Sequence, residues 1–425
     1  HVMFTCGMYE SDITPALGMK IPGYFERRLA SGIRDRLAVS VLYCAREDVQ
    51  AVLVSCDAIG VPMAVCDRAR QRIAESLSMS PDAVLICATH THTGGPVENV
   101  VGFCEENEGY LSFLEDRIVD SAHLARGDAR PVTLTFAKTV EDKLAYYRDY
   151  VMPDGSYRTW GMADGAPFGE IDPEVCVLWI DNADGSRYGC LVNYACHCDC
   201  VGGCAYSADY PGAMRETLRK LYGARFHPMY INGANGNINH CDPHGFHNVP
   251  EHYRRMGKML ACDVARAMEI GGETVPDTAL AAAYRVLPLE TREPDEALLA
   301  WAKEVQADPD ASVMDRSFAD EAFRFHDLGV RTIPVPVQVI AIGSLAVFAM
   351  PGEMFVEFGK MCKKLSPNAM VASLANAAIG YVPTRELFQP GIYEARLCEG
   401  SKLRPEAGYE MVEALAKMTA ELRAE

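Results

Sequence analysis

A chain of 425 residues with 49% hydrophobic side chains can bury a large core. Its 40 basic and 58 acidic residues leave a formal charge of −18 and an isoelectric point near 5.1, a field that repels nucleic acid and anionic membrane. No stretch approaches the ~18 uninterrupted apolar residues of a membrane span, so no stable membrane insertion is expected.

The chain opens His1-Val2-Met3, which reads as a tag remnant and is compatible with a leader removed ahead of it. A-V-L-V-S-C (51–56) has the composition of a buried strand, and a helical pattern follows around 63–77. A-V-L-I-C-A-T (83–89) is a second strand, with a second helix near 110–127. Further strands are expected at P-V-T-L-T-F (131–136), V-C-V-L-W-I (175–180), G-C-L-V-N-Y-A (189–195) and M-Y-I-N (229–232), with helices at 211–223 and 251–270. A polar helical stretch covers 295–328. V-P-V-Q-V-I-A-I-G-S-L-A-V-F-A-M (335–350) reads as a hairpin turning at Gly343-Ser344, and a last helix fills 408–425. Strand-then-helix alternation predicts an α/β fold, a central mixed sheet flanked by helices. The expected organisation is one domain over 1–425 with a helical insertion around 293–330. The 16 cysteines are scattered, several within apolar runs (Cys56, Cys87, Cys176, Cys190, Cys262). That pattern predicts buried thiols and a reducing, cytoplasmic setting rather than a disulfide framework.

Several of these strands stop at a reactive side chain. One ends at Cys56-Asp57, and A-T-H-T-H-T-G-G-P (88–96) carries His90 and His92, which alternate onto one face of an extended chain. G-C-L-V-N-Y-A-C-H ends at His197, M-Y-I-N runs into the turn G-A-N-G-N-I-N-H (233–240), and F-A-M-P-G-E ends at Glu353. Ligands in open α/β sheets bind outside the carboxyl ends of strands, so this recurrence marks one rim. His90, His197 and Glu353 would form a zinc set of two nitrogens and one oxygen with room for water. Zinc of this kind lowers the pKa of bound water to about 7.

The segments S-D-I-T-P (11–15), T-H-T-H-T-G-G-P (89–96), N-Y-A-C-H (193–197), S-A-D-Y-P-G (207–212), N-G-A-N-G-N-I-N (232–239), M-P-G-E (350–353) and G-Y-V-P-T-R-E (380–386) occur in a set order. Together they resemble the catalytic domain of the neutral/alkaline (non-lysosomal) ceramidase family, over about residues 5–396. The resemblance implies a zinc amidase with His90, His197, Glu353 and Tyr381 as metal ligands. It also implies that His92 stands beside the metal and contacts substrate, and that Arg148 lines the site. Two departures stand out. Asn239 occupies the place of the family's proposed nucleophilic serine, and Asn237 that of an aspartate; a carboxamide cannot supply an alkoxide. The residues after the match are too few for the immunoglobulin-like domain that ceramidases add. The expected substrate is therefore smaller and more polar than ceramide.

Other clusters have ordinary readings beside functional ones. H-C-D-P-H-G-F-H-N-V-P-E-H (240–252) holds four histidines. It reads as a loop over the site's mouth, with His240 toward substrate and His244 and His247 exposed, in preference to a second metal site. In C-H-C-D-C-V-G-G-C (196–204), Cys196, Cys198 and Cys200 read as packing residues opposite His197. Asp209 is a helix cap or a partner of a zinc histidine; Asp57 is a similar case, and Glu357 a weaker indirect one. Arg385 is expected to bind substrate.

The leading expectation is a zinc-dependent hydrolase of an amide or related bond in a small polar molecule, working through activated water. In it His92, Tyr381, Asn239 and Arg148 are the catalytic positions, and His240, Asn237 and Arg385 contact substrate. The same metal site would also serve a lyase acting on a carbohydrate-derived substrate, and a third reading is an inactive small-molecule binder. Self-association into a homo-oligomer is compatible with the sequence.

Overall fold

Most of the expected strands enter one large sheet, seen in a computed structural model that describes residues 4–100, 102–276 and 279–424. Its long strands are β1 (Thr5–Asp12), β2 (Ala38–Arg46), β3 (Val49–Cys56), β4 (Val84–Ala88), β5 (Arg130–Val140), β6 (Glu174–Asn182), β7 (Arg187–Tyr194) and β8 (His227–Asn232). They lie in the order β8-β7-β6-β5-β1-β2-β3-β4. The sheet is mixed: β3/β4 and β7/β8 are parallel, and the pairs between them antiparallel. Its two halves join through a short pairing of Thr5 with Pro131 and Cys6 with Arg130.

A second sheet of β9 (Leu280–Glu290), β10 (Thr332–Ile342), β11 (Leu345–Ala349) and β12 (Asn368–Ala372) adds a third parallel pair, β11/β12. The hairpin at Gly343-Ser344 is the β10–β11 turn, with Gly343 at φ 57°. Strand alternation places Leu42, Leu53, Leu85, Leu178 and Met229 of the first sheet in one core cluster with Ile340, Val347 and Met370 of the second. Neighbouring Val52 and Val54 point the other way, into a core shared with the helices α1 (Met63–Leu77) and α2 (Glu108–Gly127). In α1 the buried residues Val65, Ala69, Ile73 and Leu77 recur every four positions, a stripe that lies on the sheet. The helices α3 (Asp209–Tyr222) and α4 (His252–Ile270) cover β6 and β7 in the same manner.

The stretch at 295–328 forms two helices, α5 (Glu296–Ala307) and α6 (Val313–Leu328). Asp295 caps the first by accepting Leu298 N–H at 2.7 Å, and Ser312 caps the second by accepting Asp315 N–H at 3.0 Å. Ala302, Val305, Ala319 and Ala322 give the pair a small core of its own. The helices α7 (Val356–Lys363) and α8 (Ala407–Ala424) lie against the second sheet. No described helix is long and apolar enough to cross a membrane.

The carboxyl ends of the three parallel pairs converge. Asn232, ending β8, donates to Thr89 O at 2.9 Å just beyond β4, and its own carbonyl accepts from Ser373 N just beyond β12 at 3.1 Å. That meeting point is where the histidines stand.

Candidate metal centre

Each candidate ligand is fixed by backbone that continues a strand end. Past Ala88 the chain turns, with His90 at φ 72°, a left-handed conformation that a non-glycine residue adopts only under constraint. The constraint is visible: His90 N–H reaches Ala58 O at 2.9 Å, and His92 N–H reaches Cys198 O at 3.1 Å. His197 N–H donates to Ile238 O at 3.1 Å. Glu353–Met354 and Tyr381–Val382 pair as a two-residue parallel bridge with Glu353 opposite Tyr381. Two motif glycines permit this approach. A Cβ at Gly236 would run into the Glu353 carbonyl, and one at Gly380 (φ 87°) into the Gly400 carbonyl.

The imidazoles are oriented alike. Nδ1–H of His90 donates to Ile59 O at 2.7 Å, that of His92 to Gly23 O at 3.0 Å, and that of His197 to Asn235 O at 2.8 Å and Ile238 O at 3.0 Å. A carbonyl only accepts, so each ring holds a proton on Nδ1 and turns Nε2 to the centre, where it can donate a lone pair to a cation that takes the place of any proton there. There Glu353 Oε1 lies 2.9 Å from His90 Nε2 and 3.3 Å from His197 Nε2, and His92 Nε2 is 3.3 Å from His90 Nε2. Ligand atoms of the three histidines lie within 4.8 Å of one another. Among the described residues, His197 Nε2 and Glu353 Oε1 are buried atoms without a hydrogen-bond partner. Converging lone pairs, a carboxylate oxygen and orphaned buried acceptors fit a divalent cation. The charges are consistent. Burial opposes ionisation of Glu353, but His90 and His197 hold its carboxyl well below the usual range. Burial, with His90 beside it, holds His92 well below the ordinary imidazole value.

Tyr381 joins from the other side, its ring stacked toward His197 at 6.5 Å between centroids. Arg148 Nη2 donates to the Tyr381 hydroxyl oxygen at 3.1 Å and to Gly236 O at 2.8 Å, while Nε donates to Glu394 Oε1 at 2.5 Å. Glu394 is fully buried, and Thr159 Oγ1 bridges it to Asp149 at 3.2 and 2.7 Å. Burial pushes the Tyr381 phenol well above its ordinary value, with Glu353 adding and Arg148 opposing.

The structure relocates several expected roles. Asn239 donates Nδ2 to both oxygens of Asp199 at 3.0 and 2.9 Å and accepts from Cys241 N–H at 3.1 Å, so its carboxamide braces Asp199. Asn237 is fully buried, donating to Glu357 at 3.1 Å and accepting from Val356 N–H at 2.8 Å; both ends are spent inside the protein and none remains for substrate. Glu357 accepts in turn from Tyr147 at 2.7 Å, as a brace. Arg385 turns to the surface, stacks over Tyr409 at 4.1 Å and faces Glu406, away from the site. Asp57 pairs with Arg215 and accepts Ala38 N–H; Asp209 accepts Val201 and Tyr210 N–H. Neither aspartate is hydrogen-bonded to a histidine of the centre, because backbone carbonyls of the surrounding loops and turns already satisfy every Nδ1. His240 does not line the cavity; its Nε2 faces Asp199 at 3.4 Å.

Two residues escaped the sequence reading. Asp199 lines the cavity, and burial of its carboxyl is outweighed by His240, His197 and His92, which keep it ionised. Its spacing of i+2 from His197 on extended chain was the available signal. Glu98, whose carboxyl burial and Glu353 push up to about 7, offered none, since a loop glutamate has no periodicity. The cavity measures about 980 Å³ and is lined by His92, Arg148, His197, Asp199 and Tyr381 on one side. Trp301 and Phe318 of α5 and α6, with Trp160, Phe388 and Arg292, form other walls.

This fold is similar to that of a neutral ceramidase from Pseudomonas aeruginosa, with a TM-score of 0.78 and 20% identity over 100% of this chain and 75% of that one. It is also similar to a ceramidase solved in complex with C2, at a TM-score of 0.77 and 18% identity over 100% and 76% of the two chains. No family model and no curated protein matches the sequence.

Proposed function

We propose that this chain is a zinc-dependent hydrolase that cleaves an amide or related bond in a small substrate bearing polar groups, with water as the nucleophile. The observation that carries this reading is the set of three carbonyl-anchored imidazoles, two of which, His90 and His197, bring Nε2 to 2.9 and 3.3 Å from the buried Glu353 Oε1, with His92 Nε2 3.3 Å from that of His90. The fold shared with ceramidases supports it. His90, His197, Glu353 and Tyr381 would hold the zinc, which supplies Lewis acidity and makes water a competent nucleophile near neutral pH.

The chain's own groups divide the remaining work. His92 is neutral, with Nδ1–H committed to Gly23 O, so its Nε2 takes the proton of the attacking water and returns it to the departing nitrogen. Arg148, fixed by Glu394, directs positive charge at the Tyr381 oxygen and stabilises negative charge that develops on the substrate beside it. Asp199, held on both oxygens by Asn239, is the acceptor for a substrate N–H or O–H. With a carboxamide at 239, covalent catalysis from that position is closed. Trp160, Trp301 and Phe388 receive the apolar face of the substrate.

The test is metal analysis with turnover. His90→Ala and Glu353→Gln each lose one zinc equivalent and hydrolysis of an amide panel. His92→Ala keeps its zinc and loses about 10²–10⁴ in kcat. Unchanged metal content in His90→Ala overturns the site. Isotope-labelled water enters a hydrolysis product; product free of label moves the reaction to elimination.

A further inference from the structure

Of the two loop histidines expected at the surface, His244 is exposed and His247 half-buried, while His240 and His252 at the loop's two ends turn inward, His240 against Asp199. Ligand atoms of Cys200, His240 and His252 lie within 4.8 Å of one another. Among the described residues, His252 is buried with both ring nitrogens unpartnered, and Nδ1 of His240 and of His247 are likewise buried and unpartnered. The His247 ring stands one step further out, 6.0 Å from His240 and 6.4 Å from His252 between centroids. A buried imidazole with neither nitrogen bonded is unfavourable unless something else occupies its lone pair. Cys200 lies 3.2 Å from the Met256 sulfur and also reaches the Asp209 carboxylate.

We propose that Cys200, His240 and His252, with His247 closing the fourth position, bind a second zinc-class cation separate from the centre at His90. One thiolate with imidazoles is a donor set suited to tetrahedral zinc, and all four come from a three-part junction: the segment after His197, the 240–251 loop and the first residue of α4. His240 binds through Nδ1 and keeps Nε2–H toward Asp199, so the carboxylate orients the ligand. On binding, the Cys200 sulfur gives an electron pair to the cation and its proton leaves to solvent, one proton per ion. Occupancy therefore pins the 240–251 loop to the wall that carries Asp199, and the site acts as a clamp on the cavity.

The donor sets make the experiment selective, because the centre at His90 contains no sulfur. Protein stripped by chelator under a non-thiol reductant is titrated with Co²⁺, and thiolate-to-cobalt charge-transfer absorption is followed. The expected result is a band that saturates with one equivalent, persists in His90→Ala, disappears in Cys200→Ser, and requires at least about tenfold more cobalt in His252→Gln. Absence of the band in the wild-type protein, its persistence in Cys200→Ser, or an unchanged titration in His252→Gln overturns the proposal. Should the variants fold poorly, X-ray absorption of the zinc-loaded wild-type protein decides. A sulfur neighbour at about 2.3 Å supports the site, and a shell of nitrogen and oxygen alone overturns it. A thiolate band in a protein that loses no metal on His90→Ala would sink the catalytic reading and leave this one standing.

Discussion

His90 carries its ring on a left-handed backbone at φ 72°, and that conformation has a cost of about 1 kcal/mol for any residue with a Cβ. His90→Gly is therefore expected to be more stable than His90→Ala by about 1 kcal/mol, measured by urea unfolding, with both inactive. Arg148 and Glu394 are a buried pair at 2.5 Å, so Arg148→Met leaves an uncompensated carboxylate and costs about 3–5 kcal/mol by the same measurement. Side chains at strand ends were legible: His90, His92, His197 and Glu353 each follow an apolar run, and they meet. Asn237, Asn239 and Arg385 were misread because a residue's chemistry does not say where its hydrogen bonds go. Two carboxamides that looked available are fully engaged with Glu357 and Asp199. Glu394, on which Arg148 depends, is some 246 positions away in sequence, and no local pattern could have joined them.

Elements with a clean period were mostly readable, although the buried strands Ala38–Arg46 and Asn368–Ala372 went unread. The α1 stripe and the β10–β11 hairpin stand where periodicity and Gly343 put them. The strand Thr5–Asp12 ends in the polar run Glu10-Ser11-Asp12, and nearly all of Leu280–Glu290 is half-buried or exposed, so neither produced a strand signal. The helical pair α5/α6 was visible as helix, but not as a wall of the cavity. Trp301→Ala is expected to raise KM several-fold with zinc content unchanged; an unaltered KM would remove α5 from the substrate path. The pair is tied down at its far end by Glu399, which meets Lys402 and Arg324. Burial opposes ionisation of Glu399, but those cations hold its carboxyl down at about 2. A lowered folded value gives stability that is present above the ordinary carboxylate pKa of about 4.3 and lost as pH falls toward 2. Glu399 is half exposed, so Glu399→Gln is expected to cost no more than about 1 kcal/mol at pH 7. That difference from the wild-type protein should shrink between pH 4.5 and about 2 in thermal melts.

At the scale of the molecule, alternation of strand and helix foretold a mixed sheet with both faces covered, but not that a second sheet would cover one of them. Long-range pairing sets that arrangement, and sequence periodicity is blind to it. The core between the sheets is expected to be sensitive: Leu53→Ala removes a fully buried side chain from it and should cost about 2–5 kcal/mol, read from denaturant midpoints at constant m. The anchoring of His90, His92 and His197 on Ile59, Gly23, Asn235 and Ile238 has a further consequence. Those carbonyls belong to three separate stretches of chain, around residues 23, 59 and 235–238, that come together only when the strand pairs are formed. The donor set thus has no existence in a partly unfolded molecule, and amide protons at His90, His92 and His197 should exchange with deuterium no faster than the slowest sheet amides. A ligand that captures only the finished arrangement would slow that exchange throughout the protein, far beyond the residues it touches.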